Sequence, residues 1–143
     1  PVRLPTEAEW EAAARGATGR CYPFGATFAR WSANTLEAHV RRPTPVGVFT
    51  AGDTPEGVAD MAGNVNEWTS TAWGRRSEQP DFGYPYRAND GREDPDTIPE
   101  VRRILRGGSW SDPGAHARAA WRFRGRPDGW DYGDGFRLVV GVS

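Results

Sequence analysis

Most of this chain lacks hydrophobic periodicity, yet seven tryptophans are scattered through it among 18 glycines and 12 prolines. A helix needs apolar residues near i, i+3, i+4 and i+7, and a half-buried strand needs strict alternation. Few stretches here offer either. The irregular segments must then be pinned by large aromatic rings, which bury wide apolar surfaces. That requirement predicts a loop-rich fold with few regular elements.

The exceptions are short. Thr6, followed by Glu9 three residues on, reads as a capping box opening a helix. Trp10, Ala13 and Ala14 fall on one face of it, with Gly16 as its stop. Residues 44–49 read as a strand beginning beside Pro43 and Pro45. Residues 101–105 and 136–142 read as two more strands, the last apolar and central in a small antiparallel sheet. Between them, residues 74–100 alternate Arg with Asp and Glu and carry Pro80, Pro85, Pro95 and Pro99, which predicts a long surface excursion.

Three ordered motifs narrow the fold. They are Arg3-Leu-Pro-Thr-Glu-Ala-Glu-Trp-Glu11, Asp60-Met-Ala-Gly-Asn-Val-Asn-Glu-Trp-Thr69, and Arg106-Gly-Gly-Ser-Trp110 answered by Gly135-Phe-Arg-Leu-Val139. Together they resemble the C-terminal portion of the formylglycine-generating enzyme (sulfatase-modifying factor) family. The resemblance implies an α+β, C-type-lectin-like fold, loop-rich with a small antiparallel sheet and few helices. It also implies one domain over residues 1–143, the C-terminal portion of a longer chain.

In that family the second motif wraps a structural calcium ion. Carried over position by position, Asp60 and Glu67 would give side-chain oxygens, and Gly63 and Val65 backbone carbonyls. Calcium takes six to eight hard oxygens, and a Gly turn lets carbonyls converge. The sequence departs from the family at Asn66, where Trp is usual. The competing reading is an Asx-turn, with Asp60 bonding backbone amides and Glu67 pairing with an Arg. A second family calcium site would use Asn34 and Thr35, but the Asp it needs downstream is missing from residues 37–42.

The family's active oxidases hold copper between two cysteines placed between the Gly-Gly-Ser-Trp and Gly-Phe-Arg segments. Residues 111–134 contain no cysteine, and Cys21 stands alone elsewhere. Copper(I) selects soft thiolates, so no copper and no cysteine oxidation are expected. The lone Cys21 also cannot build an intrachain disulfide or a cysteine-rich zinc site.

What replaces the cysteines is a mixture suited to contact: Ser111, Asp112, His116, Trp121, Phe123, Arg124, Arg126, Trp130, Asp131, Tyr132 and Asp134. Rigid aromatics supply area, Arg and Asp directional bonds, and intervening Gly close approach. Trp130 and Tyr132 are expected to be exposed, with Trp10, Trp68 and Trp110 in the core. The pattern is also similar to variable proteins of diversity-generating retroelements, which mutate a segment bounded by such motifs.

The resulting expectation is a non-catalytic binding module for a protein or another surface ligand, displaying residues 111–134. The alternative is a fragment of an iron oxygenase such as an ergothioneine-type sulfoxide synthase, whose metal-binding domain is absent here. In that case Asp131, Tyr132 and Arg137 would line the cleft. A net charge of −1 gives no global attraction to nucleic acid. Arg118, Arg122, Arg124 and Arg126 are expected to pair with nearby acids, with Arg118 and Arg122 also bonding loop carbonyls. No apolar run is long enough for membrane insertion.

Overall fold

The computed structural model describes residues 1–94, 96 and 100–141. Pro95, Pro99 and Val142 therefore lie outside the described residues. The regular elements are β1 (Val2–Arg3), α1 (Glu7–Arg15), β2 (Asn66–Gly74), β3 (Arg102–Arg106), β4 (Phe123–Gly125), β5 (Asp134–Gly135) and β6 (Val139–Val140). Single 3-10 turns occur at Arg30–Ser32, Leu36–Ala38, Thr50–Gly52 and Gly114–Ala117. The rest is loop, an α+β architecture dominated by irregular chain.

α1 begins at the predicted capping box: the Thr6 hydroxyl accepts from the Glu9 amide, and the Glu9 carboxylate accepts from the Thr6 amide at 2.8 Å. Gly16 closes the helix with φ 57. Its buried face carries Glu7, Trp10 and Ala14, while Ala13 points to solvent. Trp10 packs on Ala14, Met61 and Ala119, and its ring N–H donates to Glu67 at 2.6 Å.

The main sheet has the order β4-β3-β2-β5. β2 and β3 run antiparallel with Glu67 opposite Arg106, and β3 pairs antiparallel with β4. β5 joins β2 in parallel, Asn66 opposite Asp134. The expected antiparallel sheet is thus mixed at one edge. The last apolar run is not its centre. Among the described residues β6 pairs only with β1, in a separate two-stranded ribbon, and Phe136, Leu138 and Val140 are exposed. Nor do residues 44–49 form a strand: Gly47 turns at φ 81 and both Val46 and Val48 face water.

Two small apolar clusters make the core. One is Trp10, Ala14, Met61 and Ala119; the other is Tyr22, Ala33, Ala62 and Ala117, flanked by Phe24 and Phe28. Neighbours Met61 and Ala62 enter different clusters, and so do Ala117 and Ala119. Residues 117–120 alternate buried and exposed as the chain leaves the 3-10 turn and enters a further turn closed by the Trp121 amide on the Arg118 carbonyl. Trp68 and Trp110 are half-buried, so Trp10 is the fully buried member of the three expected in the core.

A buried ionic network binds helix, sheet and loop. Glu7, fully buried, accepts from Arg122 at 2.6 Å and lies 3.4 Å from Arg106. Arg106 bonds Glu11 at 2.6 Å and the carbonyls of Ala119 and Trp121 at 2.8 and 2.9 Å. Arg118 and Arg122 bond loop carbonyls as expected, those of Ala115 and Phe82 at 3.0 and 3.2 Å, and Arg106 does so as well. Part of the 74–100 segment is anchored as well: Tyr84 donates to Glu11, Tyr86 to Glu93, and Arg92 is buried against Asp90 and Gly83.

Candidate functional site

Ser109 begins the loop that crosses the end of β2. Its hydroxyl donates to Asp112 at 2.7 Å, its amide donates to the same oxygen at 2.9 Å, and Asn66 adds a third bond at 3.1 Å. The Ser111 hydroxyl lies 3.0 Å from that of Ser109. His116 follows on the 3-10 turn, 3.4 Å from the other Asp112 oxygen, and stacks on Trp121 with centroids 4.2 Å apart. Glu37 fixes the start of that turn by accepting from the Gly114 amide at 2.9 and 3.0 Å.

The loop of residues 129–134 lies beside this network because Gly133 lets it. A Cβ there would come within 3.1 Å of the Ser109 side chain. The Gly133 amide donates to Asp131 at 2.7 Å, and its carbonyl accepts from the Asn66 amide at 2.6 Å. On this anchored loop Trp130 and Tyr132 are 78% and 77% exposed and meet at 5.2 Å, edge to face. The Tyr132 carbonyl also accepts from Trp110 at 3.3 Å. Burial, with the charges of Asp131 and Asp112, pushes the Asp134 carboxyl up to about 6.

Not all the predicted contact residues share this face. Phe123 and Arg124 sit on β4, whereas Asp134 sits on β5, at the opposite edge of the four-stranded sheet. Three strand spacings separate those edges, roughly 14 Å. Arg124 bonds Ser77 and lies over Phe123 and Trp73. Arg126 pairs with Asp128. The predicted ion pairing with nearby acids holds for Arg126, while Arg122 pairs with Glu7 and Arg118 donates to the Ala115 carbonyl. Sequence reasoning missed Ser109, Asn66 and Glu37 as organisers. The Asn66 departure from the family's Trp was the available signal.

The second motif places Asp60, Val65 and Glu67 around one cavity of about 160 Å³, with Arg137 in its wall. Gly63 and Asn64 turn the chain with φ 72 and 67. Asp60 accepts the Gly47 amide at 2.6 Å through one oxygen. Glu67 accepts two bonds from Arg137, each 2.6 Å, besides that from Trp10. Burial opposes the Arg137 charge, but Glu67 more than offsets it and holds the guanidinium protonated. The Glu–Arg pairing weighed from sequence is therefore present, whereas Asp60 bonds the remote Gly47 amide rather than closing an Asx-turn on its own segment. The second Asp60 oxygen takes no hydrogen bond from the described residues, whereas both Glu67 oxygens are already engaged by Arg137 and Trp10. No group of three or more His, Cys, Asp or Glu side chains converges as a metal site among the described residues. At the other proposed calcium position, Asn34 is buried and its side-chain oxygen has no partner. No helix among the described residues is long and apolar enough to cross a membrane.

The model of the sulfatase-modifying factor enzyme 1-like domain matches residues 2–142. The chain belongs to that family. Among curated relatives of this sulfatase-modifying factor domain, serine/threonine-protein kinase pkn1 of Chlamydia caviae is 38% identical over 142 residues, covering 99% of the chain and 21% of that protein. Hercynine oxygenase of Mycobacterium tuberculosis is 35% identical over 160 residues, covering 99% of the chain and 31% of that enzyme. The domain therefore spans less than a third of either relative. Among solved structures, Treponema denticola variable protein 1 superposes with a TM-score of 0.70 at 30% identity, covering 96% of this chain and 46% of that one. Its likeness supports the C-type-lectin-like, formylglycine-enzyme-type fold.

Proposed function

We propose that this domain is a non-catalytic binding module whose recognition surface is formed by residues 109–112 and 129–134. The observation that carries this reading is the Trp130–Tyr132 pair: two large rings left in water on a loop held by hydrogen bonds at Asp131 and Gly133. Exposed aromatics on a preorganised loop bind at low entropic cost. Ser111, Asp112 and Asp131 supply polar groups at the rim, which suits a protein surface. The likeness to Treponema denticola variable protein 1 supports the same reading. A photo-crosslinking residue in place of Ser111, used in the source cells, should capture a protein partner. Trp130→Ala with Tyr132→Ala should abolish that capture while leaving the domain folded; unchanged capture overturns the proposal. An adenine-rich template repeat beside the gene would identify residues 111–134 as diversified.

A structural calcium ion held by Asp60, Glu67 and the carbonyls of Gly63 and Val65 belongs to this reading. It would fix the turn that carries Asn66 to Asp112.

Likeness to hercynine oxygenase favours a second reading, in which the domain is part of an iron oxygenase. Arg137 would then line the cleft, but its guanidinium is committed to Glu67 and to the Ala59 and Asp60 carbonyls. A histidine-rich helical domain in the same polypeptide would decide for the oxygenase.

A further inference from the structure

Between the end of α1 and the 118–122 segment lies a cavity of about 570 Å³, lined by Arg15, Arg20, Cys21, Arg118, Trp121 and Arg122 among others. Half of its eight lining residues are arginine, and none is acidic. Charge is unbalanced there. The guanidiniums of Arg15, Arg20, Arg106 and Arg122 share the carboxylates of Glu7, Glu11 and Glu56, and Arg118 has no carboxylate partner among the described residues. The four lining arginines, with Arg106 outside the lining, are thus set against three carboxylates. Guanidinium forks match phosphate and carboxylate oxygens and bond them more strongly than neutral groups do. Trp121, in contact with Arg118 at 5.5 Å, adds a flat apolar wall.

We propose that this cavity binds a small, multiply charged anion bearing phosphate or carboxylate groups, with Arg118 as its uncommitted cation. It is separate from the Trp130–Tyr132 surface, although Trp121 borders both regions. Cys21 lines the cavity and is the chain's one cysteine, so its alkylation reports occupancy directly. N-ethylmaleimide, which is uncharged, should modify Cys21 at least about tenfold more slowly when pyrophosphate or citrate saturates the site. Protection by pyrophosphate alone assigns a phosphate ligand; protection by citrate alone assigns a carboxylate. Arg118→Gln should weaken protection about tenfold or more, near the strength of one charge-assisted bond. Arg118 is exposed and makes one backbone bond, so this variant folds. Arg30→Gln, an equal charge change outside the lining, should leave protection intact. The proposal is overturned if neither anion slows alkylation at millimolar concentration, or if both variants weaken protection equally.

Discussion

Trp130 and Tyr132 meet edge to face, their planes at 89° and centroids 5.2 Å apart, while more than three-quarters of each residue stays in water. Such a pair contributes about 0.5–1.5 kcal/mol, little beside what a core tryptophan supplies. Trp130→Ala with Tyr132→Ala should therefore cost no more than about 1.5 kcal/mol in urea unfolding. Trp10→Ala should cost about 3–5 kcal/mol, or prevent folding. Unfolding of the surface double variant would place its rings in the core and remove the recognition surface.

Glu7 serves two arginines without access to water. Glu7→Gln leaves Arg122 and Arg106 with a weakened partner inside the protein, and breaking a buried pair costs about 3–5 kcal/mol. The midpoint of denaturant unfolding should fall accordingly. Glu56→Gln, at the exposed end of the Arg20–Glu56 pair, should leave it nearly unchanged.

Asp134 should make stability fall as pH rises. Its folded carboxyl is raised to about 6 by burial and by Asp131 and Asp112, above the unfolded value of about 3.9. The folded state thus holds more protons between those values, and stability declines across about pH 4 to 6. Asp134→Asn should be more stable than wild type at pH 7 and equal to it at pH 3.5. The gain should be about 1 kcal/mol, because solvent screens a partly exposed group. Thermal melts across that range measure it.

Gly63→Ala meets two obstacles. Its φ is 72, and the added carbon would lie 2.4 Å from the Asn34 carbonyl oxygen. Destabilisation should exceed about 2 kcal/mol, whereas Gly57→Ala, also at positive φ but in open space, should cost about 1 kcal/mol.

If the Asp60 cavity holds calcium, chelation should lower the melting temperature by several degrees, since bound ligand stabilises the folded state by mass action. Asp60→Ala should remove that response. A melting curve indifferent to chelator and to added calcium would discard the site.

Local signals in the sequence were legible and non-local ones were not. The Thr6–Glu9 cap spans four residues and formed as read. The strand around residues 101–105 also formed, because its apolar run meets β2. Residues 44–49 also carry three apolar side chains, but no strand among the described residues pairs with them. The final run was misplaced because apolarity does not reveal its partner, and β1 took it. Alanines 117 and 119 anchor the site segment, yet small residues leave no pattern to read. Which arginine is buried was likewise invisible: Arg106 bonds the loop carbonyls, while Arg118 faces the cavity. The predicted contact segment divided because the sheet order is not the chain order.

Val2 lies opposite Val140, and Arg3 opposite Val139, in the short ribbon formed by β1 and β6. Incoming and outgoing backbone thus share one doorway. Fraying of either strand would release the other, so the two are expected to come loose together rather than one at a time.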